Sequence, residues 1–134
     1  MRTRRLFIGL FGLQVLALAG VAASGAHAFE IQPYTKAAAQ SAIGSGKPVV
    51  LEIYASWCPV CLLQASSIEA IKDQPNYKNI AFFRVDYDAQ KDVVEQLKAP
   101  RSTLIAYRGG KEVGRESWGM TKGSVANILT KAAQ

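Results

Sequence analysis

The sequence has 134 residues, 49% of them hydrophobic, and its 16 lysines and arginines against 10 acidic residues give a formal net charge of +6. This length suits one compact domain and excludes a large multidomain enzyme. The charge does not indicate a nucleic-acid-binding surface, because three basic residues lie within the first five positions and the others are scattered.

Residues 1–28 have the pattern of a secretory signal peptide. Three arginines precede an apolar run from Leu6 to Ala22, and small residues follow in an A-x-A arrangement that ends at Ala28. We expect cleavage after Ala28, which leaves residues 29–134 as the mature domain. A retained membrane anchor is the alternative, but the apolar run is short for a span of about 20 residues and contains several glycines.

The segment Thr3–Ile8 also resembles a twin-arginine export signal. Paired arginines are common in secretory signals, so the twin-arginine route and the general secretion route both stay open. Either route leads out of the cytoplasm, and we expect a periplasmic location. Contact with the membrane is expected only through an uncleaved signal.

Beyond residue 28 the chain alternates between helical and strand patterns. Alanine-rich or capped segments indicate helices, and apolar runs rich in β-branched residues indicate buried strands. The turn residues Arg108–Lys111 indicate a hairpin. After an extended entry at 29–34, we predict helices at 35–43, 58–73, 89–97 and from Thr121 to about Lys131, and strands at 48–55, 80–87, 103–107 and 112–117. This order predicts an α/β fold in which a central mixed sheet has helices on both faces.

The two cysteines of the chain, Cys58 and Cys61, form a C-x-x-C motif. Two cysteines in an oxidising compartment usually form a structural disulfide, but a bridge that closes so short a loop adds little stability. The spacing therefore favours a reactive pair. Because the motif lies where a strand turns into a helix, Cys58 is expected at the helix N-terminus, where unpaired N–H groups favour its thiolate. Pro59 suits the first position of that helix.

Other uses of a C-x-x-C motif fit this sequence less well. Covalent haem attachment needs a histidine after the second cysteine, and this chain has Leu62 there. A structural zinc site needs four ligands, whereas the predicted mature domain has two cysteines and no histidine. A copper(I) ion held by the two thiolates stays open as an alternative. The sequence predicts no bound cofactor.

Three segments resemble thioredoxin: residues 52–61 its strand and active-site turn, residues 103–113 its central hairpin, and residues 119–123 the entry to its last helix. The resemblance extends over residues 29–134 and implies the thioredoxin fold and thiol–disulfide exchange with protein substrates. It implies that Cys58 attacks, that Cys61 resolves the mixed disulfide, and that the two form a Cys58–Cys61 disulfide in the oxidised state.

Glu52 is an acidic residue within an apolar strand that should be buried on both faces. A buried ionised carboxylate is costly, so such a residue usually has a specific role. By resemblance, Glu52 takes the position of the buried acid of thioredoxin beneath the second cysteine. This implies proton transfer to and from Cys61 by a carboxyl of raised pKa. The alternative is a glutamate that reaches an edge of the sheet or pairs with a lysine.

The sequence departs from the thioredoxin pattern at several positions. Pro59-Val60 replaces the Gly-Pro pair between the cysteines, and Ser102 takes the position of a cis-proline. A cis bond before serine costs about 3–4 kcal/mol, so we expect a trans bond between Arg101 and Ser102. Two alternatives to a groove role stay open for Ser102: a hydroxyl presented to the cysteines, or an ordinary loop serine. Leu62 and Met120 join two tryptophans in a predicted apolar rim. The substrate-binding residues implied by the resemblance are Trp57, Pro59, Arg101, Ser102, Thr103, Trp118 and Gly119.

The function predicted from the sequence is dithiol–disulfide exchange on periplasmic proteins. Reduction is favoured over oxidation, because the chain lacks the large substrate-binding insertion that oxidases of this superfamily carry. A thiol-relay protein of the membrane is the expected redox partner. The alternative from another class is a non-catalytic thioredoxin-like module that binds copper(I) or a partner protein.

Overall fold

The alternation of strands and helices is seen in a computed structural model of the chain, which describes residues 29–134. The predicted signal peptide, residues 1–28, lies outside the described residues. The strands are β1 (Ile31–Pro33), β2 (Val49–Tyr54), β3 (Ala81–Asp86), β4 (Thr103–Arg108) and β5 (Lys111–Ser117). The helices are α1 (Lys36–Gly44), α2 (Pro59–Ile71), α3 (Lys91–Leu97) and α4 (Lys122–Ala133), with a short 3-10 turn at Pro75–Tyr77.

The five strands form one mixed sheet in the order β1-β3-β2-β4-β5. Strands β1, β3 and β2 are parallel, whereas β4 runs antiparallel to β2 and β5 antiparallel to β4. The sequence predicted only an extended entry at residues 29–34. In the structure this segment contains the edge strand β1, which pairs with β3 through the register Ile31↔Phe82. A three-residue strand is too short for its alternation to stand out in a sequence.

Both faces of the sheet are covered by helices, as the sequence predicted. Helices α2 and α4 pack on the face that presents Val50 and Leu104, and helices α1 and α3 pack on the face that presents Leu51 and Ile105. Because side chains alternate along a strand, Glu52 lies on the same face as Val50, beneath α2 and α4. The central strand β2 is thus buried on both faces, which explains why its sequence is almost entirely apolar.

Local hydrogen bonds set the helix ends. Helix α3 begins at Lys91, two residues later than predicted, because the Asp86 carboxylate accepts backbone N–H groups of Asp88 and Ala89 and holds them in a turn. Thr121 caps α4 through a reciprocal capping box with Ser124. None of the helices between residues 29 and 134 is long and apolar enough to cross a bilayer.

Candidate active site

The cysteine pair lies where β2 passes into α2. The chain leaves the sheet after Tyr54, and the backbone N–H of Cys58 donates to the Ala55 carbonyl at 3.1 Å, which closes the turn. Cys58 is the N-cap of α2, with an extended backbone, and Pro59 occupies the first helical turn. The Cys58 sulfur accepts the backbone N–H of Cys61 at 3.3 Å. A sulfur thus takes the place of the oxygen that usually caps a helix.

The two thiols have different acidities. Burial alone would raise the pKa of Cys58, but hydrogen bonds from the Cys61 side chain and backbone, and from Ser102 and Arg101, outweigh it and lower the pKa to about 7. Burial raises the pKa of Cys61, and its hydrogen bond with Cys58 raises it further. The structure therefore places the more ionised sulfur at the helix N-terminus and the more protonated one a turn inside the helix.

The peptide bond between Arg101 and Ser102 is trans, as the sequence predicted. Ser102 is fully buried and adopts a left-handed backbone with φ of 59°. Its hydroxyl lies 2.9 Å from the Cys61 sulfur and 3.8 Å from the Cys58 sulfur. Ser102 thus contacts both reactive atoms, at the position where thioredoxins carry a proline.

Glu52, which is fully buried, forms an ion pair with Arg84, whose side chain is 28% exposed. Its carboxylate accepts the Arg84 Nε–H at 2.7 Å, while its other oxygen is buried without a hydrogen-bond partner. Burial raises the pKa of Glu52, and the neighbouring guanidinium partly opposes that rise. The alternative prediction for Glu52 was an ion pair with a lysine, and its partner in the structure is instead an arginine. The partner comes from β3, whose register places Arg84 directly beside Glu52. Proton transfer to Cys61 stays a prediction.

Two predicted substrate-binding residues lie behind the surface. Ser102 and Thr103 are both fully buried. The Thr103 hydroxyl donates to the Pro100 carbonyl at 2.8 Å and lies 2.8 Å from the Ser117 hydroxyl. The backbone N–H of Ser102 donates to Ile53 at 2.7 Å, inside the protein. Because both side chains are fully buried, neither presents a surface to a substrate in this structure.

A rim beside the cysteines, defined here as Trp57, Arg101, Trp118, Gly119 and Met120, has three exposed side chains, while Arg101 and Gly119 are half-buried. The Arg101 guanidinium lies 4.9 Å from the ring centre of Trp57 and 5.4 Å from that of Trp118. Trp57 is 55% exposed, Trp118 45% and Met120 41%. Large apolar side chains exposed together usually mark a surface for another molecule. The arginine also supplies a positive charge near Cys58.

Gln64 belongs to the site, although it was not among the residues predicted from the sequence. This glutamine is fully buried in α2, and its amide donates to the carbonyls of Gly119 at 2.8 Å and Ser102 at 3.3 Å. It therefore ties α2 to both loops that flank the cysteines. A signal was present in the sequence: Cys61, Gln64 and Ile68 follow the helical spacing of a buried stripe, and a polar residue within such a stripe needs a partner.

Comparisons with known proteins agree with this geometry. The family model for thioredoxin matches residues 30–131. Thioredoxin-2 of Saccharomyces cerevisiae is 42% identical over 77 residues, which cover 56% of this chain and 72% of that protein. Putative thioredoxin-5 of Dictyostelium discoideum is 32% identical over 102 residues, which cover 75% of this chain and 95% of that protein. The crystal structure of Trxlp from Edwardsiella tarda matches with a TM-score of 0.71 and 36% identity, over 75% of this chain and 99% of that one.

Proposed function

The chain belongs to the thioredoxin family and is a dithiol–disulfide oxidoreductase with a Cys58–Cys61 pair, and from this we propose that it reduces protein disulfides outside the cytoplasm. Its five-stranded mixed sheet with helices on both faces is the thioredoxin fold predicted from the sequence. Thioredoxins act on protein disulfides, which supports the same general kind of substrate here.

The exchange follows from the unequal thiols. The Cys58 thiolate attacks one sulfur of a substrate disulfide, the substrate S–S bond breaks, and one substrate thiolate leaves. Cys61 then loses its proton and attacks Cys58, which forms the Cys58–Cys61 disulfide and releases the second substrate thiolate. Two electrons pass to the substrate, whose thiolates take up two protons. The exposed Trp57, Trp118 and Met120 of the rim support a protein as the substrate, since aromatic residues and methionine are enriched in interface cores.

The proposed direction of electron transfer, from this protein to its substrate, is supported by the pKa of Cys58. A pKa of about 7 matches that of thioredoxin, a reductant, and lies far above the value of about 3.5 found in a strongly oxidising disulfide oxidoreductase. A strongly stabilised thiolate favours the reduced protein and makes its disulfide oxidising. The moderate stabilisation of Cys58 therefore favours electron donation. A thiol-relay protein of the membrane is the proposed source of electrons for re-reduction.

The reduction potential of the Cys58–Cys61 pair tests the proposed direction of electron transfer. Equilibrating the protein with glutathione buffers should give a value near that of thioredoxin, about −270 mV. A value of about −120 mV would instead make it an oxidant. Failure to form any reversible Cys58–Cys61 disulfide, together with one copper(I) ion bound per reduced protein, would favour the non-catalytic binding module.

The proposed periplasmic location depends on residues 1–28. Their arginines, apolar run and A-x-A ending support export by a secretory signal. Fractionation of bacterial cells that produce the chain should place it in the periplasm, with Phe29 as the first residue of the processed protein. Replacing both Arg4 and Arg5 with lysine separates the routes: a block of export indicates the twin-arginine route, and normal export indicates general secretion.

A further inference from the structure

Ser102 is the one polar side chain in the described part of the chain that is hydrogen-bonded to both cysteine sulfurs. Its hydroxyl donates to the Cys61 sulfur at 2.9 Å and lies 3.8 Å from the Cys58 sulfur. A hydroxyl has one hydrogen to donate and two lone pairs to accept with, and it rotates to suit its partners. A proline at this position has no such group.

We propose that Ser102 is a catalytic hydrogen-bond donor that stabilises the Cys61 thiolate during resolution of the mixed disulfide. The proposal rests on the dithiol–disulfide exchange described above and adds a residue to its chemistry. It replaces the substrate-binding role that the resemblance implied for Ser102, which full burial of this residue does not favour.

The resolving step is where the donor is needed most. In the reduced protein, hydrogen bonding from Cys61 lowers the pKa of Cys58 and so supports its thiolate, with the Cys61 backbone N–H 3.3 Å from the Cys58 sulfur. Once Cys58 is bound to a substrate sulfur, Cys61 itself must become the thiolate, in a buried position that disfavours charge. The Ser102 hydroxyl is already placed 2.9 Å from that sulfur. Ser102 keeps its own proton, and the proton that Cys61 loses passes to solvent, by way of Glu52 if the predicted proton transfer operates.

The surrounding structure holds the hydroxyl in this direction. The Ser102 backbone N–H donates to Ile53 at 2.7 Å, and its carbonyl accepts from Trp118 at 2.8 Å and from the Gln64 amide at 3.3 Å. These three bonds come from β2, from the loop after β5 and from α2. They keep the residue at a φ of 59°, a conformation that costs a serine free energy. Backbone strain of this kind is concentrated at functional sites.

Two substitutions test the role of the hydroxyl. Ser102→Ala removes the hydroxyl and keeps the strained backbone, whereas Ser102→Gly removes the hydroxyl and relieves the strain. A hydrogen bond to a charged group contributes enough to change a rate about tenfold. We expect resolution to slow about tenfold near neutral pH in both variants. The defect should shrink as the pH rises, because Cys61 then ionises without the donor.

The measurement is a rapid acid quench of the reduced protein mixed with a disulfide-bonded peptide, with the mixed disulfide at Cys58 counted by mass spectrometry. In both variants this species should accumulate, while the rate of the first attack changes less. A second measurement needs no substrate: the Cys61 thiol is titrated in a Cys58→Ser background, alone and combined with Ser102→Ala or with Ser102→Gly. The two combinations that lack the Ser102 hydroxyl should show a higher pKa for Cys61.

Two results would overturn the proposal. Unchanged resolution and an unchanged Cys61 titration in both variants would show that the hydroxyl does not support the thiolate. A defect in Ser102→Ala that Ser102→Gly restores would assign the effect to the backbone. If the wild-type protein exchanges with the peptide but fails to reduce protein disulfides, the proposed function fails while the role of Ser102 is still measured.

Discussion

Replacing Arg84 with methionine should leave the buried Glu52 carboxylate without its partner while keeping most of the aliphatic packing. Glu52 is fully buried, and the Arg84 Nε–H donates to it at 2.7 Å. The Arg84 side chain is 28% exposed, so solvent screens part of the ion pair. Loss of one member of a buried pair costs about 3–5 kcal/mol, and the screening places this case at the low end, about 3 kcal/mol near pH 7.

The loss should depend on pH. Burial raises the pKa of Glu52 and Arg84 opposes the rise, so the pKa should rise further in the variant. A carboxyl whose pKa is higher in the folded than in the unfolded protein stabilises the fold below its unfolded pKa, and this stabilisation is lost as the pH rises through the folded value. Protonated Glu52 needs no cationic partner. The variant should therefore lose much less stability near pH 4 than near pH 7.

Urea unfolding followed by the fluorescence of Trp57 and Trp118 measures the free energy of unfolding at both pH values. The matched control is the double variant Arg84→Met with Glu52→Gln, which carries no buried charge and should recover much of the stability lost near pH 7. An equal loss at both pH values, or a double variant no more stable than Arg84→Met, would refute the reasoning. The loss would then come from packing, including the contact of the guanidinium with the Tyr54 ring at 4.2 Å.

The remaining predictions concern the second cysteine, the buried acid and two helix ends. Cys61→Ser should trap substrate proteins as mixed disulfides on Cys58 in non-reducing gels, and Cys58→Ser should trap none, because resolution needs the second thiol. Glu52→Gln should slow resolution on the order of a hundredfold or less in the same quench assay, and the defect should vanish at high pH; an unchanged rate would exclude proton transfer through Glu52. Lys98→Gly should raise the free energy of unfolding by about 0.5 kcal/mol, since Lys98 ends α3 in the left-handed region at φ 49°. Thr121→Ala should lower it by about 1 kcal/mol through loss of the capping box, and urea unfolding checks both changes.

The features that the sequence predicts well are those that depend on neighbouring residues. Cys58 reaches the N-terminus of α2 because an apolar strand, a short turn and Pro59 follow one another in the chain. The burial of Glu52 is predicted because its strand is apolar on both sides. Arg84 could not be predicted as its partner, because that contact depends on the parallel register between β2 and β3, two strands that are separated in the chain by the whole of α2. Such registers follow from packing of the whole sheet.

The backbone at Ser102 and Trp118 is the part of the site that no local pattern predicts. Both residues have a positive φ, 59° and 67°, although neither type favours the left-handed region. The Trp118 N–H donates to the Ser102 carbonyl at 2.8 Å, and the Gln64 side-chain amide donates to the same carbonyl. The first of these bonds links the two residues of positive φ directly. Tertiary hydrogen bonds therefore impose a conformation against local preference. A proline ring fixes φ at about −65°, so a proline at position 102 is incompatible with this loop. Serine in place of proline therefore has two linked effects. It permits the left-handed backbone at position 102, and that backbone directs the serine hydroxyl toward the cysteine sulfur atoms.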